Sequence, residues 1–320
     1  MKGAEPARRA AMGTRQGLAD GRGRLLTALV TPLAADGEVD THVAAELAAD
    51  LCARGCDGFV VAATTGESPT LSEREKLSLC AAVRRAVDGR ASVWLGTGSY
   101  DTRSSIELTR EAAAAGAQGV MAVVPYYSRP PQAGLVRHFT SVAAATDLPL
   151  MVYNIPARTG CNLLPATLAR IVAEAPNVVA LKESSRDLEQ VAEVVRLLPA
   201  LDVYSGDDGL TLPVLAVGGC GVVSVAAHIV PEAIAALIHD WEAGRTEAAR
   251  ARHLALLPLY RALFLAPNPI PVKTALRLRG WAVGGLRPPL CELEASELAA
   301  LRAALSSWPL SQPAPSAARS

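Results

Sequence analysis

The stretch VVALKE, residues 178–183, decides the fold, because its four apolar residues run without interruption into a lysine. Continuous apolar runs of this kind are typical of strands that are buried on both faces of a parallel sheet. An ammonium group that enters such an interior loses its water, which favours the neutral amine. Neutral amines attack carbonyl carbons, so Lys182 is a candidate for forming a Schiff base. The strand alone leaves open the alternative that the lysine extends to solvent.

The composition favours the buried interpretation. Of the 31 basic residues only four are lysines, namely Lys2, Lys76, Lys182 and Lys273, and the other 27 are arginines. The sequence therefore uses arginine where a positive charge is sufficient. A lysine kept at the end of an apolar strand indicates that a primary amine is required there.

The overall composition excludes several classes of protein. Half of the 320 residues are hydrophobic and 19% are charged, which is typical of a globular chain. The formal net charge of zero gives no indication of binding to nucleic acid or to an anionic membrane surface. No apolar run reaches the roughly 20 residues that span a bilayer. We therefore expect a globular protein that binds neither nucleic acid nor membrane.

The cysteines and histidines lack the spacing of a metal site. The six cysteines include no Cys-x-x-Cys pair, and the five histidines include no His-x-x-x-His pair. Free thiols in a reducing cytoplasm are the expected state. Residues 1–23 are rich in Arg, Ala and Gly without a hydrophobic stretch, which predicts a disordered extension or an overlong start and not a secretory signal. Residues 309–320, rich in Pro, Ser and Ala, predict a disordered tail.

Between these ends, strand and helix patterns alternate. The predicted strands cover residues 25–30, 58–62, 92–95, 119–124, 150–154, 178–183, 203–206 and 221–224, with helical patterns between them. Eight such units over about 200 residues predict an α/β fold, a closed (β/α)8 TIM barrel at residues 24–230. A doubly wound open sheet is the alternative, but no Gly-x-Gly-x-x-Gly turn follows the first strand. The later patterns predict a helical C-terminal extension, residues 231–308, with helices at 241–264, 271–278 and 293–305.

Barrels of this kind carry their catalytic groups at the C-terminal ends of the strands. Several unusual residues follow predicted strands at that end. They are Thr64, Thr65, Tyr127, Tyr153, Lys182 and Gly206. Each also has a purely structural interpretation, such as a strand-to-loop exit for the threonines and packing at the rim for the tyrosines. Arg158 follows Tyr153 in the next loop, where a guanidinium group can bind a carboxylate through two hydrogen bonds.

Six segments together resemble the dihydrodipicolinate synthase family, within the superfamily of pyruvate-dependent class I aldolases and lyases. They are TTGES at 64–68, PYYSRP at 125–130, YNIPARTG at 153–160, LKE at 181–183, SGDD at 205–208 and PNPIPVK at 267–273. The likeness runs from about residue 25 to residue 308. Each motif is moderately specific, and the six in this order are highly specific for the superfamily.

The resemblance implies a covalent mechanism that needs no cofactor and no metal. Lys182 would form a Schiff base with pyruvate, and loss of a methyl proton would give an enamine that attacks an aldehyde. Tyr153 would shuttle protons. Thr64 would link Tyr153 to Tyr127, which is expected to come from a neighbouring subunit of a homotetramer built as a dimer of dimers.

The resemblance also implies how substrates are bound. Thr65 would hold the pyruvate carboxylate, and Gly206 and Val223 would line the pocket beside Lys182. Val223 stands where the family often has isoleucine. Arg158 would bind the carboxylate of L-aspartate 4-semialdehyde, on the diaminopimelate route to lysine.

Two other functions remain open at this point. One is a sibling aldolase or lyase that acts on 2-keto-3-deoxygluconate or 4-hydroxy-2-oxoglutarate, against which Arg158 argues. The other is a catalytically silent relative that binds pyruvate, against which the complete set of expected side chains argues.

One region departs from the family pattern. Many bacterial and plant members of the family are inhibited by lysine at a subunit interface. The aligned positions here carry Glu73, Lys76, Tyr100 and Ser104 instead of the His, Asn and Glu of strongly inhibited members. The ammonium group of Lys76 would repel that of a lysine ligand, so we expect weak or absent inhibition by lysine.

Overall fold

The computed structural model describes residues 23–308. The predictions of disorder for residues 1–23 and 309–320 lie, apart from Gly23, outside the described residues. The division into a barrel, residues 24–230, and a helical extension, residues 231–308, stays a prediction.

Eight parallel strands form a closed barrel in which each strand pairs with the next and β8 pairs with β1. The strands are β1 Leu25–Ala28, β2 Gly58–Val61, β3 Ser92–Gly96, β4 Gly119–Val123, β5 Leu150–Asn154, β6 Val178–Glu183, β7 Asp202–Ser205 and β8 Gly221–Ser224. The predicted (β/α)8 barrel is confirmed, and the doubly wound alternative is wrong because β1 and β8 close the sheet.

Helices surround the barrel and extend beyond it. They are α1 Thr41–Ala53, α2 Glu73–Val87, α3 Thr102–Ala112, α4 Gln132–Ala143, α5 Pro156–Thr159, α6 Pro165–Glu174, α7 Leu188–Leu197, α8 Thr211–Ala216, α9 Pro231–Glu242, α10 Thr246–Ala262, α11 Ile270–Leu278 and α12 Ala295–Ser306. Capping residues fix several starts. Asp40 accepts two amide hydrogen bonds at α1, and Ser72 with Glu75 forms a capping box at α2.

Several boundaries differ from the predictions, and two of the differences have a clear structural cause. The first strand ends at Ala28 and not at Val30, because the Val30 amide donates to Nε2 of His228 at 3.1 Å and leaves the strand ladder. The helix predicted at 241–264 covers only the last two residues of α9, which begins at Pro231, and then α10. Gly244, at φ +74°, adopts the left-handed conformation that ends α9, and α10 begins at Thr246.

The core has two layers. The outer layer fills the space between strands and helices, and the inner layer fills the barrel itself with side chains such as Trp94, Met121, Met151 and Tyr204. A filled barrel has no channel, so its reactive surface is confined to its ends. Because side chains alternate along a strand, Ala180 and Lys182 of β6 both point inward. This alternation brings a lysine into the upper part of the barrel.

The described part of the chain has neither a candidate metal site nor a candidate membrane span. Within residues 23–308 no group of three or more His, Cys, Asp or Glu side chains is arranged to hold a metal ion. In the same residues, every helix is too short or too polar to cross a membrane.

Candidate active site

A cavity of about 210 Å³ opens at the C-terminal end of the barrel. Thr64, Tyr126, Tyr153 and Arg158 are among its lining residues. Three of these four were singled out in the sequence. The end of the barrel where the cavity lies is the one that carries catalytic groups in this fold.

Lys182 lies next to Tyr153 because β5 and β6 pair in a register that places the two residues opposite each other. The lysine is 3% exposed, and its Nζ lies 4.2 Å from the centroid of the Tyr153 ring. No carboxylate in residues 23–308 lies within 4.0 Å of this nitrogen. The interpretation of Lys182 as a lysine that reaches solvent is wrong, because the side chain points into the barrel. A buried amine without a counter-ion is available for attack on a carbonyl.

Gly206 directly follows β7, beside Lys182, and Val223 lies on β8. A Cβ atom at Gly206 would lie 3.1 Å from Cε of Lys182 and 1.9 Å from Oγ of Ser184, so only glycine fits this position. Val223 is fully buried on β8 and belongs to the inner layer with Tyr153. Both predicted pocket residues therefore lie inside the barrel, and Gly206 is in direct contact with Lys182.

A tight turn after β2 carries the two threonines. The amide of Glu67 donates to the carbonyl of Thr64 at 3.1 Å, which closes the turn at residues 64–67. We call residues 64–67 the threonine turn. Thr64 lines the cavity, and Thr65 is buried with its Oγ1 accepting a hydrogen bond of 2.9 Å from Nδ2 of Asn268. The turn thus presents one hydroxyl to the cavity and fixes the other.

Arg158 lies on the four-residue helix α5 and is exposed at the rim of the cavity. Gly160, at φ +68°, ends this helix in the left-handed conformation, which returns the chain to the barrel. The Nη2 atom of Arg158 donates to the carbonyl of Asn268 at 3.3 Å. A guanidinium group at this position can bind the carboxylate of a substrate that enters the cavity.

Tyr127 does not reach the cavity of its own chain. It is 93% exposed and has a φ of +71°, and its neighbour Tyr126 lines the cavity instead. Tyr126 packs edge-on against Tyr100, with ring centroids 5.5 Å apart. Donation of Tyr127 to a neighbouring subunit stays a prediction.

A buried network supports the end of β6, and the sequence did not indicate it. Glu183 accepts hydrogen bonds from Nδ2 of Asn154 at 3.0 Å and from Nε2 of Gln190 at 3.1 Å. Burial raises the pKa of the Glu183 carboxyl above its usual value, against the effect of these donors. Because Glu183 follows Lys182 directly, the network fixes the strand that carries the lysine.

The region aligned with the lysine-inhibition site lies near the tyrosines. Lys76 is half-buried and Glu73 is exposed, and burial lowers the pKa of Lys76. The hydroxyl and amide of Ser104 both donate to the carboxylate of Asp101 at 2.8 Å, which satisfies that carboxylate. The carboxylate that remains exposed in this region is that of Glu73, one turn before Lys76 on α2.

The fold and the site define a class: a (β/α)8 barrel enzyme with a buried lysine beside a tyrosine at the C-terminal mouth. The chain belongs to the Dihydrodipicolinate synthetase family, whose model matches residues 22–308. A 4-hydroxy-tetrahydrodipicolinate synthase from Synechococcus sp. (strain CC9605) is 56% identical over 274 residues, which are 85% of this chain and 90% of the relative.

Solved structures agree with this assignment. The structure of a dihydrodipicolinate synthase from Cyanidioschyzon merolae with lysine bound matches with a TM-score of 0.88 and 47% identity, over 89% of this chain and 98% of that chain. A chloride-inhibited dihydrodipicolinate synthase from Acinetobacter baumannii complexed with pyruvate matches with a TM-score of 0.86 and 35% identity, over 89% and 98% of the two chains.

Proposed function

We propose that this protein is a 4-hydroxy-tetrahydrodipicolinate synthase, a lyase that condenses pyruvate with L-aspartate 4-semialdehyde. The observation that carries the proposal is the buried Lys182, which lies over the Tyr153 ring without a carboxylate partner in the described chain. The names of the relatives support the reaction, and the residues around Lys182 support the mechanism.

The first half of the mechanism makes the nucleophile. Nζ of Lys182 attacks C2 of pyruvate, and the resulting carbinolamine loses water to give a Schiff base. The electron-withdrawing imine allows the methyl group to lose a proton, which leaves an enamine. Tyr153 moves the protons in these steps, and the cavity-lining hydroxyl of Thr64 serves as its relay partner. Positioned acid–base groups of this kind contribute roughly 10²- to 10⁴-fold to a rate.

The second half forms the carbon–carbon bond. The enamine carbon attacks the aldehyde carbon, and the aldehyde oxygen takes a proton to become the hydroxyl group. The amine of the second substrate then attacks C2, releases Lys182 and closes a six-membered ring. Arg158 binds the carboxylate of this second substrate, and Thr65 holds that of pyruvate. Gly206 and Val223 shape the space for the reacting carbons.

The rim arginine favours this substrate over a neutral sugar aldehyde such as the one released from 2-keto-3-deoxygluconate. Arg158 lines the cavity and is held by the Asn268 carbonyl, so it offers a fixed cation to a carboxylated aldehyde. Neutral sugar aldehydes have no group that requires it. A catalytically silent relative would not need an unpaired buried amine, because burying one costs free energy.

A coupled assay tests the proposal. Consumption of pyruvate and L-aspartate 4-semialdehyde is followed through dihydrodipicolinate reductase, with 2-keto-3-deoxygluconate and 4-hydroxy-2-oxoglutarate cleavage measured in parallel. We expect turnover with the semialdehyde and at most trace cleavage of the two alternative 2-oxo acids. The opposite ranking would assign the chain to a sibling activity, and inactivity with all of them would support the silent relative.

A homotetramer in the cytoplasm completes the proposal. The exposed Tyr127 supports assembly, because a phenol at 93% exposure acts on a buried relay only if a second subunit covers it. Gel filtration with light scattering checks the assembly. A fully active monomer would contradict the role given to Tyr127.

A further inference from the structure

The segment PNPIPVK, residues 267–273, resembles the family but has no role in the chemistry above. It lies about 200 residues from the threonine turn along the chain, yet two of its side chains bind that turn. Nδ2 of Asn268 donates to Oγ1 of Thr65 at 2.9 Å, and Nζ of Lys273 donates to Oε1 of Glu67 at 2.8 Å.

We propose that residues 267–273 position the threonine turn, through Asn268 and the Glu67–Lys273 ion pair, so that the Thr65 hydroxyl donates to the substrate carboxylate. Asn268 and Lys273 are positioning residues in this account, since they act through Thr65. The inference rests on the proposed function, because that function supplies the carboxylate.

The ion pair is fully buried and its charges are satisfied. The side chains of Lys273 and Glu67 are 0% and 2% exposed. Lys273 also donates to the carbonyl of Thr31 at 2.9 Å, and the amide of Arg287 donates to Oε2 of Glu67 at 2.9 Å. A buried pair is stable only when its geometry and its remaining hydrogen bonds are good, and this pair meets both conditions.

The pair holds a backbone that is unfavourable by itself. Glu67 has a φ of +56°, in the left-handed region that costs a non-glycine residue roughly 1–2 kcal/mol. Gly66 is held as well, because Oγ1 of Thr31 donates to its carbonyl at 2.7 Å. Strained backbone at a site persists only where its surroundings fix it. Thr65, Gly66 and Glu67 are therefore each fixed by a contact from another part of the chain.

Asn268 sets the direction of the Thr65 hydrogen bond. An amide NH2 group can only donate, so Oγ1 of Thr65 accepts from it and keeps its own proton free. That proton can then be donated to an anion such as the carboxylate of a 2-oxo acid. The same segment reaches the second binding group, because the Asn268 carbonyl accepts from Arg158. One segment thus orients the groups for both substrate carboxylates.

Substitution of Asn268→Asp tests the direction of this hydrogen bond. The carboxylate accepts the Thr65 proton and adds a negative charge, so we expect the KM for pyruvate to rise roughly 10- to 100-fold, as the loss of a charge-assisted hydrogen bond implies. The rate of borohydride-trapped pyruvate adduct formation should fall in parallel. Glu67→Gln should also raise the KM for pyruvate, by loosening the turn.

A matched control separates positioning from stability. Asp240 is buried and forms ion pairs with Arg245 and Arg252 that join α9 to α10, away from the cavity. Asp240→Asn should lower the thermal midpoint and leave the KM for pyruvate unchanged. If Asn268→Asp and Glu67→Gln lower the midpoint like the control and leave the KM for pyruvate unchanged, the inference is overturned.

Measurements on the wild-type chain distinguish a failure of the positioning role from a failure of the proposed function. A wild-type chain that reacts with pyruvate while Asn268→Asp reacts equally well contradicts the positioning role alone. A wild-type chain that forms no pyruvate adduct contradicts the proposed function and this inference with it.

Discussion

Lys182 and Lys273, two buried lysines of the described chain, have opposite surroundings. Lys273 is held by a carboxylate and a carbonyl, and its side chain is fully enclosed. Lys182 is almost as buried, but the contact seen for its amine is the face of the Tyr153 ring. A carboxylate partner stabilises a buried ammonium group, whereas an amine without such a partner is accessible to a substrate carbonyl. Lys273 therefore has the surroundings of a structural lysine, and Lys182 those expected of the proposed reactive amine.

The chain has only four lysines, and these two buried ones differ in their surroundings. Arginine binds carboxylates well, yet a lysine faces Glu67, where a compact ammonium fits between Thr31 and Glu67. At position 182 the requirement is for an amine that can lose its proton, which arginine cannot meet. Lysine is therefore kept at these two positions for two different physical reasons.

The largest expected effect is on activity at Lys182. Lys182→Met removes the nucleophile, so we expect turnover in the coupled assay to fall by roughly 10⁴-fold or more. The free energy of unfolding should stay within about 1 kcal/mol of wild type or increase, because an apolar chain replaces an unpaired amine. Retained turnover, or a large loss of stability, would show that the comparison of the two lysines is wrong.

The next effect is on stability at Lys273. Lys273→Met leaves the Glu67 carboxylate buried without its cation, and breaking a buried pair in this way costs about 3–5 kcal/mol. Urea unfolding of the two methionine variants gives the comparison directly. Arg103→Met is the control, since the Arg103–Glu107 pair is exposed and exposed pairs contribute at most about 1 kcal/mol. Equal stability of Lys273→Met and this control would contradict the structural role.

The comparison of buried basic side chains extends from the two lysines to a histidine. His228 is fully buried, and burial lowers its pKa from 6.5 to about 4. Between these values the unfolded chain binds a proton that the folded chain does not, so stability present above pH 6.5 is lost as the pH falls towards 4. The contribution of one such group changes by up to about 1.4 kcal/mol per pH unit.

Unfolding in urea between pH 7 and pH 4.5 measures this slope. His228→Gln should make the slope shallower, and His42→Gln should not change it in this way, because His42 is exposed. A slope unchanged by His228→Gln would show that the imidazole is not buried in its neutral form.

The smallest expected effect concerns the third described lysine. Lys76 is half-buried beside the position expected for an inhibitor, where its ammonium group repels that of a free lysine. We expect little or no loss of turnover when lysine is added to the coupled assay. Half-inhibition at sub-millimolar lysine would overturn this prediction.

Much of the barrel could be predicted because its signals are local. Buried parallel strands appear in the sequence as short apolar runs, and each of the eight predicted runs contains or overlaps an observed strand. The boundaries of strands and helices were harder to predict where a residue distant in the sequence determines them. His228 ends the ladder of β1 by binding the Val30 amide, a contact across 198 residues that periodicity does not indicate. Gly244 was a local signal for the break between α9 and α10 that the longer apolar pattern concealed.

The site shows the same division between local and distant signals. Lys182 and Tyr153 end neighbouring strands, so their proximity follows from the order of the strands. The partnership of Asn268 with Thr65 depends on how the C-terminal segment packs over the barrel, and no sequence spacing determines it. The predicted donation of Tyr127 to a second chain depends on assembly, which the sequence of one chain does not describe.

Trapping of the imine with borohydride tests the central claim most directly. The protein is reduced in the presence of pyruvate, digested and analysed by mass spectrometry. We predict one stable adduct, on the peptide that contains Lys182, and none on the peptides that contain Lys76 or Lys273. An adduct at either of those lysines in place of Lys182, or no adduct at all, would contradict the assignment of the reactive amine.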